Sequence, residues 1–374
     1  MKRVVIDASS CLIGSWNPNL TGIGRTTLEL IRTLEARNNL PFELVLFCQR
    51  LSHNRLQHYN FTSKQFCLPL PRFQSVEKIK SILPVVETLT GADIYHIPHN
   101  HSGFFRNNRT ILTIHDAMIF DIREDHLYSS AEKHSLKCDA ERCSSIITCS
   151  ISSKRLLLKY LDVQEDKITV APWGYDKSVF FPYSQEQVQE ALKTKFCLVR
   201  PYLLSVSCNI GRKRTPELIR QYLKLASKDY PYDLVLVWRK PSEEVRKLLE
   251  NSAAAHRVHI IPSVNNHDLA LLYNGTACMV FPSIYEGFGL PVLEAMACGR
   301  PVMITHETSL PEIGGNAAIY FDTIEEDNIG EKLLQLADGQ FNLEDLSRRS
   351  LIQASKFSWE QCADITISVY NSLL

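Results

Sequence analysis

The 374-residue sequence has no net charge, no C-x-x-C pair and no apolar run long enough to span a membrane. Each absence excludes something. Lys and Arg number 41 against 41 Asp and Glu, so a partner held mainly by long-range attraction to a phosphate backbone is excluded, and nucleic acid with it. Without about 18 consecutive apolar residues there is no membrane-spanning helix. The opening MKRVVIDAS reads as a strand, not as a signal peptide. Eleven scattered cysteines, an odd number, read as small buried apolar side chains in a reducing cytosol, not as a disulfide framework. The expected location is cytoplasmic, with at most a peripheral contact at the inner face of a membrane.

What is present is the composition of an ordinary globular protein: 45% hydrophobic, 22% charged and 9% aromatic, with 15 Gly and 17 Pro. That excludes disorder, collagen and coiled coil, and the length calls for two cores instead of one. Residues 1–177 carry 22 basic and 18 acidic side chains and the remainder 19 and 23. The first half is therefore the side expected to face an anionic membrane or a lipid phosphate.

Short β-branched runs recur between helical stretches at Val4 to Asp7, Leu44 to Phe47, Asp93 to His96, Thr110 to His115, Ile146 to Ser150 and Ile168 to Ala171. Several are apolar without alternation, as parallel strands covered on both faces are. A polar stretch from Pro172 to about Lys195 reads as the passage between domains. A second series then runs through Tyr202 to Val206, Asp233 to Trp238, Val258 to Ile261, Cys278 to Phe281, Pro301 to Ile304 and Ala318 to Phe321. Two βα series predict an α/β protein of two doubly wound, Rossmann-like domains facing across a cleft. Ligands in such folds sit beyond the carboxyl ends of the strands.

The most informative loop is Glu286-Gly287-Phe288-Gly289-Leu290-Pro291-Val292-Leu293-Glu294, directly after a strand. Pro291 suits a first helical turn, so the amides of Gly289 and Leu290 would lie at a positive helix end that suits a phosphate. Carboxylates do not bind phosphate, so Glu286 and Glu294 are better placed to accept from hydroxyls on either side of a diphosphate. The plainer alternative is a glycine loop capping a helix between two solvated glutamates. Gly211-Arg212-Lys213-Arg214-Thr215-Pro216 follows the second domain's first strand, where three cations would clamp a diphosphate and stabilise a leaving group; a solvated charge run is its alternative.

In the first domain, Thr21-Gly22-Ile23-Gly24-Arg25-Thr26 reads as a glycine loop before a helix, but the third glycine of a dinucleotide fingerprint is missing and dehydrogenase chemistry has little support. Thr113-Ile114-His115-Asp116 ends a strand and places His115 where it would bond a sugar hydroxyl or serve structure alone. Tyr95 to His101 carries three histidines without cysteine or carboxylate companions, so it reads as a loop and not as a metal site.

These residues together resemble the retaining, nucleotide-sugar-dependent glycosyltransferases of family 4, which have the two-domain GT-B fold. Glu286 to Glu294 is similar to their E-x7-E motif, and Gly22 to Arg25, Thr113 to Asp116, Arg212-Lys213, Ser309-Leu310-Pro311-Glu312 and Phe357-Ser358-Trp359-Glu360 follow in the family's order. The resemblance implies an N-terminal acceptor-side domain over 1–180, a nucleotide-sugar-binding domain over 181–356, and a last helix over 357–374 that packs back on the first domain. It implies that Glu286 and His115 contact the donor sugar, that Arg212 and Lys213 hold the diphosphate, and that main-chain groups of Gly287, Phe288, Gly289 and Leu290 hold sugar and phosphate. Glu294 would take the ribose, and Gly22 and Gly24 would let donor and acceptor meet. Ser207, Arg214 and Trp238 depart from the usual pattern and would reshape the nucleotide pocket.

The implied reaction is retaining, metal-independent transfer of a hexose, mannose favoured, from a nucleoside diphosphate sugar to an acceptor hydroxyl, with no cofactor beyond that co-substrate. The resemblance is strongest to mannosyltransferases that build bacterial surface polysaccharide, O-antigen or capsule, on a lipid-linked saccharide. UDP-glucose, UDP-N-acetylglucosamine, GDP-fucose and dTDP-rhamnose are the alternative donors. A non-catalytic GT-B binding subunit, or an epimerase or phosphorylase of the same architecture, is the alternative role.

Overall fold

The computed structural model describes residues 1–12, 20–49, 56–68, 79, 83–100, 109–121, 128–206, 208, 211–262, 264–322 and 326–374. The chain divides into two compact units, one of residues 1–174 together with 358–374, the other of residues 175–357.

The first unit is a parallel sheet whose strands among the described residues are β1 (Arg3–Asp7), β2 (Glu43–Gln49), β3 (Lys64–Leu68), β4 (Ile94–Ile97), β5 (Thr110–Thr113), β6 (Ser145–Thr148) and β7 (Ile168–Val170). Their order is β3-β2-β1-β4-β5-β6-β7. Alternation along β1 explains why its middle, Val4 to Ile6, is apolar without a break. Val4 and Ile6 face a core shared with Leu28, Ile31 and Leu34 of helix Gly22–Glu35, while Val5 faces a second core with Leu136, Ala140 and Leu157. Burying each such side chain contributes about 1.5–3 kcal/mol, so a strand with two covered faces has no position to spare for polar residues. The edge strand β3, largely exposed, was not expected from the sequence.

The last helix, Trp359–Leu373, completes the first unit's core. Ser358 caps it by accepting from the Gln361 amide. Its buried face carries Trp359, Cys362, Ala363, Val369 and Tyr370, and the Tyr370 hydroxyl bonds the His96 ring at 2.6 Å.

The second unit repeats the plan with β8 (Tyr202–Val206), β9 (Asp233–Val237), β10 (Val258–Ile261), β11 (Cys278–Phe281), β12 (Val302–Thr305) and β13 (Ala318–Phe321). They are all parallel, in the order β10-β9-β8-β11-β12-β13. The order reverses between β8 and β11, the point in such a sheet beyond whose carboxyl ends ligands bind.

One expectation is corrected. The polar stretch up to Lys195 is not a simple passage: Gln185–Phe196 is a helix of the second unit. Val188 and Leu192, four residues apart, form a narrow buried stripe against Gly275, where any Cβ would meet Leu192 at 2.2 Å. Two apolar residues on one helical face hold the element in place despite its many Gln, Glu and Lys side chains.

Candidate functional site

Beyond β8 the chain turns through a short 3-10 segment, Gly211–Lys213, into helix Thr215–Ala226. Beyond β11 it runs through Pro282-Ser283-Ile284-Tyr285 into the Glu286–Gly289 loop and helix Leu290–Ala297. Because β8 and β11 are sheet neighbours, these two turns meet. The Ile284 amide donates to the Arg212 carbonyl at 2.9 Å. Arg212 Nη1 donates to the Tyr285 carbonyl at 2.6 Å and to Glu286 Oε1 at 2.8 Å. Lys213 Nζ reaches the same Oε1 at 2.6 Å and lies 4.3 Å from the centre of the Phe281 ring. Ser283 donates a third hydrogen bond to that oxygen. Glu286 Oε2 makes no hydrogen bond to a described residue.

All three charged side chains are largely withdrawn from water, at 15% exposure for Arg212, 12% for Lys213 and 10% for Glu286. Burial pushes the Glu286 carboxyl up, but the Lys213 ammonium, the Arg212 guanidinium and the hydrogen bonds from Lys213 and Ser283 outweigh it and hold the group below the ordinary glutamate range. The plainer sequence reading of solvated charges is thus set aside here. Glu286 is an ionised carboxylate clamped at one oxygen by two cations.

The loop itself is fixed from the β12 side. Thr308 Oγ1 accepts the Glu286 amide at 2.9 Å, and Ser309 Oγ donates to the carbonyls of Glu286 and Phe288 at 3.0 and 2.8 Å. Gly289 has φ +111° and caps helix Leu290–Ala297, in whose first turn Pro291 lies, so the glycine is required by the backbone. The Phe288 side chain is buried, edge-on to Phe357 at 5.8 Å. Glu294, one turn into the helix and 2% exposed, accepts from the Tyr273 hydroxyl at 3.2 Å.

The remaining sequence-derived residues lie in the first unit. Gly22 and Gly24 are not a loop: they form the first turn of helix Gly22–Glu35, capped by Thr21, whose hydroxyl accepts the Gly24 amide at 3.1 Å. A Cβ on Gly24 would stand 2.5 Å from the Ser10 carbonyl oxygen, whereas one on Gly22 would meet nothing within 4 Å. His115 is buried edge-on to Trp173 at 5.2 Å. Its Nε2 lies 3.1 Å from the Pro98 carbonyl, which only accepts, so Nε2 carries the proton and Nδ1 is a buried acceptor with no partner among the described residues. Burial lowers its pKa to about 4, with the Pro98 bond opposing and His99 assisting. A cavity of about 20 Å³, room for one water molecule, lies beside it, lined in part by His96, Thr113 and Thr366.

Among the residues that depart from the family pattern, Arg214 has φ +49° and pairs with Glu217 of its own helix at 2.9 Å. Trp238 is buried, with its indole nitrogen unpartnered among the described residues. Ser207, like His101, lies outside the described residues. No cluster of three His, Cys, Asp or Glu side chains arranged to hold a metal occurs among the described residues, and no helix among them is long and apolar enough to cross a membrane.

Two family models match the chain, Glycosyltransferase Family 4 over residues 20–179 and Glycosyl transferases group 1 over residues 187–356. The chain belongs to the family 4 glycosyltransferases. It is 29% identical over 380 residues to the O-antigen chain mannosyltransferase B of Escherichia coli, covering 95% of this chain and 97% of that one. Among solved structures, the sucrose-phosphate synthase of Thermosynechococcus elongatus superposes with a TM-score of 0.76 at 17% identity, over 100% of this chain and 99% of that one. Anabaena HepE in complex with UDP-glucose does so at 0.73 and 16% identity, over the whole of both chains. These matches bear out the GT-B fold expected from the sequence.

Within this family 4 glycosyltransferase, the structure brings Arg212, Lys213 and Glu286 together at the reversal point of the second sheet. His115, Gly22 and Gly24 belong to the other unit. Sequence reasoning missed Ser283, Thr308, Ser309 and Tyr273 as supports. Ser283 and Ser309 stood in quoted motifs without a role; Thr308 gave no signal because its contact crosses from one strand's loop to another's, and Tyr273 gave none because its contact joins two helices.

Proposed function

We propose that this glycosyltransferase moves mannose from GDP-mannose, with retention and without a metal ion, to a hydroxyl of a lipid-linked saccharide in O-antigen or related polysaccharide assembly. The observation that carries the reading is the Glu286 carboxylate, gripped at Oε1 by Arg212 and Lys213 and, among the described residues, unbonded at Oε2. A diphosphate would compete for the same two cations and for the amides at the start of helix Leu290–Ala297. A hexose hydroxyl would donate to Glu286 Oε2, and the ribose hydroxyls to Glu294. The neutral Nδ1 of His115 suits a second hydroxyl of the sugar, and Gly22 and Gly24 are proposed to line the path by which donor and acceptor meet.

One guanidinium and one ammonium group at the diphosphate, Arg212 and Lys213, supply the charge that a metal would otherwise supply, which supports metal independence. No second carboxylate is placed by motif as a nucleophile, which supports a front-face reaction in which the leaving diphosphate takes the acceptor's proton, in place of the paired-carboxylate scheme of glycoside hydrolases. Mannose is favoured by the printed activity of the Escherichia coli relative. The excess of basic side chains in residues 1–177 supports a cytoplasmic enzyme with peripheral contact to an anionic membrane.

The test is GDP release from GDP-mannose with a lipid-linked saccharide acceptor, in the presence of EDTA, with the anomeric configuration of the product read by NMR. Release that survives chelation and an α product support the reading. Loss of activity in EDTA, restored by a divalent ion, would overturn metal independence. An inverted anomer would overturn retention, and release from UDP-glucose alone would overturn the donor.

A further inference from the structure

Five non-glycine residues among those described have positive φ, and of these Thr308, at φ +49°, is the one with a β-branched side chain. The left-handed region crowds Cβ against the following carbonyl, and a second branch at Cβ makes the crowding worse. A threonine stays there only where its surroundings hold it. What holds Thr308 is the loop of Glu286: its Oγ1 accepts the Glu286 amide at 2.9 Å, and the next residue, Ser309, donates to the Glu286 carbonyl at 3.0 Å. Consecutive side chains from the β12 turn thereby take both polar groups of the Glu286 main chain. Thr305, at the end of β12, ties the same turn to the Ser283 carbonyl at 2.7 Å.

We propose that Thr308 is a positioning residue for Glu286, its strained backbone being the cost of placing a hydroxyl under that one amide. The inference rests on the reading that Glu286 binds the donor sugar. Threonine is a poor choice for the left-handed region, where glycine or asparagine carries less strain. Among the described residues the hydroxyl has one hydrogen-bond partner, the Glu286 amide. A bond of this kind, lost, lets the carboxylate drift from the geometry in which it meets the sugar.

The test compares Thr308→Ala, Thr308→Ser and Thr308→Gly in the full chain. Three readouts are taken: melting temperature, hydrogen exchange of the segment 284–290, and GDP release from GDP-mannose with water as acceptor. Thr308→Ala keeps a Cβ, and with it part of the strain, and loses the bond; it should exchange faster in that segment, melt lower and turn over about tenfold more slowly, the worth of one well-placed hydrogen bond. Thr308→Ser should restore exchange and turnover. Thr308→Gly loses both strain and bond, so it should melt higher than Thr308→Ala yet remain equally slow. Turnover that rises with melting temperature in Thr308→Gly would reduce Thr308 to a structural role, and unchanged exchange in Thr308→Ala would overturn the proposal outright. Glu286→Gln in the same assay separates the two ideas. If it is inactive while Thr308→Ala is as fast as the parent, the positioning role fails and the donor site stands; if it is fully active, the donor site itself fails.

Discussion

Lys213 and Glu286, 73 residues apart in the chain, meet at 2.6 Å in the second unit, each little exposed to water. Neither residue's neighbours in sequence would bring this about. The pair exists because β8 and β11 are adjacent in a sheet whose order reverses between them, which places a basic turn against an acidic loop. A buried ion pair of this kind is weak evidence for stability, since desolvation offsets most of the attraction. Its retention in a family 4 glycosyltransferase is better explained by use.

Removing the carboxylate outright is therefore a poor first experiment. Glu286→Ala would leave Arg212 and Lys213 buried without their counter-charge, at a cost of about 3–5 kcal/mol, and lost activity would be confounded with lost structure. Glu286→Gln keeps an acceptor for the cations and Ser283 while removing the charge. We expect it to remain folded, with a lower melting temperature, and to lose GDP release from GDP-mannose by about 10²–10³-fold, the range for removing one transition-state contact. Parental turnover in this variant would sink the assignment of the site.

Tyr273→Phe probes the other motif glutamate. The hydroxyl bonds Glu294 Oε2 at 3.2 Å, with both side chains buried, so its loss removes one restraint on the carboxylate at a cost of about 1 kcal/mol. Glu294 is proposed to hold the ribose, which does not change during transfer, and such a contact acts on binding more than on chemistry. Steady-state kinetics should show KM for the donor rising about fivefold with kcat nearly unchanged. A fall in kcat at constant KM would place Glu294 closer to the reaction than proposed here.

Local chemistry was readable from the sequence where it depends on neighbours in the chain. Pro291 at a helix start, a backbone glycine at 289, and cations ending β8 are properties of short segments, and the structure has them there. What was not readable depends on sheet order or on burial. The clamp of Arg212 and Lys213 on Glu286 and the Thr308 and Ser309 supports join loops from different strands, and the Tyr273 bond joins two helices. The glycines at 22 and 24 read as a loop because glycine opposes helix formation, and tertiary packing overrode that preference: Gly24 lies too close to Ser10 to carry a side chain. The edge strand β3, with Lys64, Gln65 and Cys67 exposed, has too little apolar patterning to declare itself.

Gly174→Ala tests how the last helix is seated. A Cβ on Gly174 would stand 2.2 Å from the Trp359 amide nitrogen and 2.4 Å from the Ser358 carbonyl carbon. Both are backbone atoms at the start of helix Trp359–Leu373, so no rotamer change relieves the clash. The helix start must shift, loosening Trp359 and Cys362 in the first unit's core. Overpacking against backbone costs about 3 kcal/mol, and the melting temperature should fall by several degrees. A melting curve equal to the parent's would mean that the Gly174–Ser358 approach is looser than described.

Acid should destabilise the first unit before it touches the Glu286 site. Burial lowers His96 to about 3, assisted by His99 and His115, and His115 to about 4. Both are neutral in the fold, whereas in the unfolded chain they titrate near 6.5, so between about pH 6.5 and 4 the unfolded state binds more protons and stability falls as pH falls. Asp139 acts in the opposite sense. Burial raises it to about 7, with Arg142 opposing, so across the same window the folded state holds a proton that the unfolded state releases, and stability from this group rises as pH falls. Two histidines against one carboxyl leave a net uptake of about one proton on unfolding, a slope near 1.4 kcal/mol per pH unit. Glu286, held below its ordinary value, adds its own loss only under more acidic conditions, below about pH 4.5. Denaturant unfolding at pH 6.5, 5.5 and 4.5 measures the slope. Asp139→Asn removes the opposing group and should steepen it, and His96→Gln should flatten it; a slope of the reverse sign in the parent would mean that the two histidines are charged in the fold and that the neutral Nδ1 proposed to meet the sugar is not available.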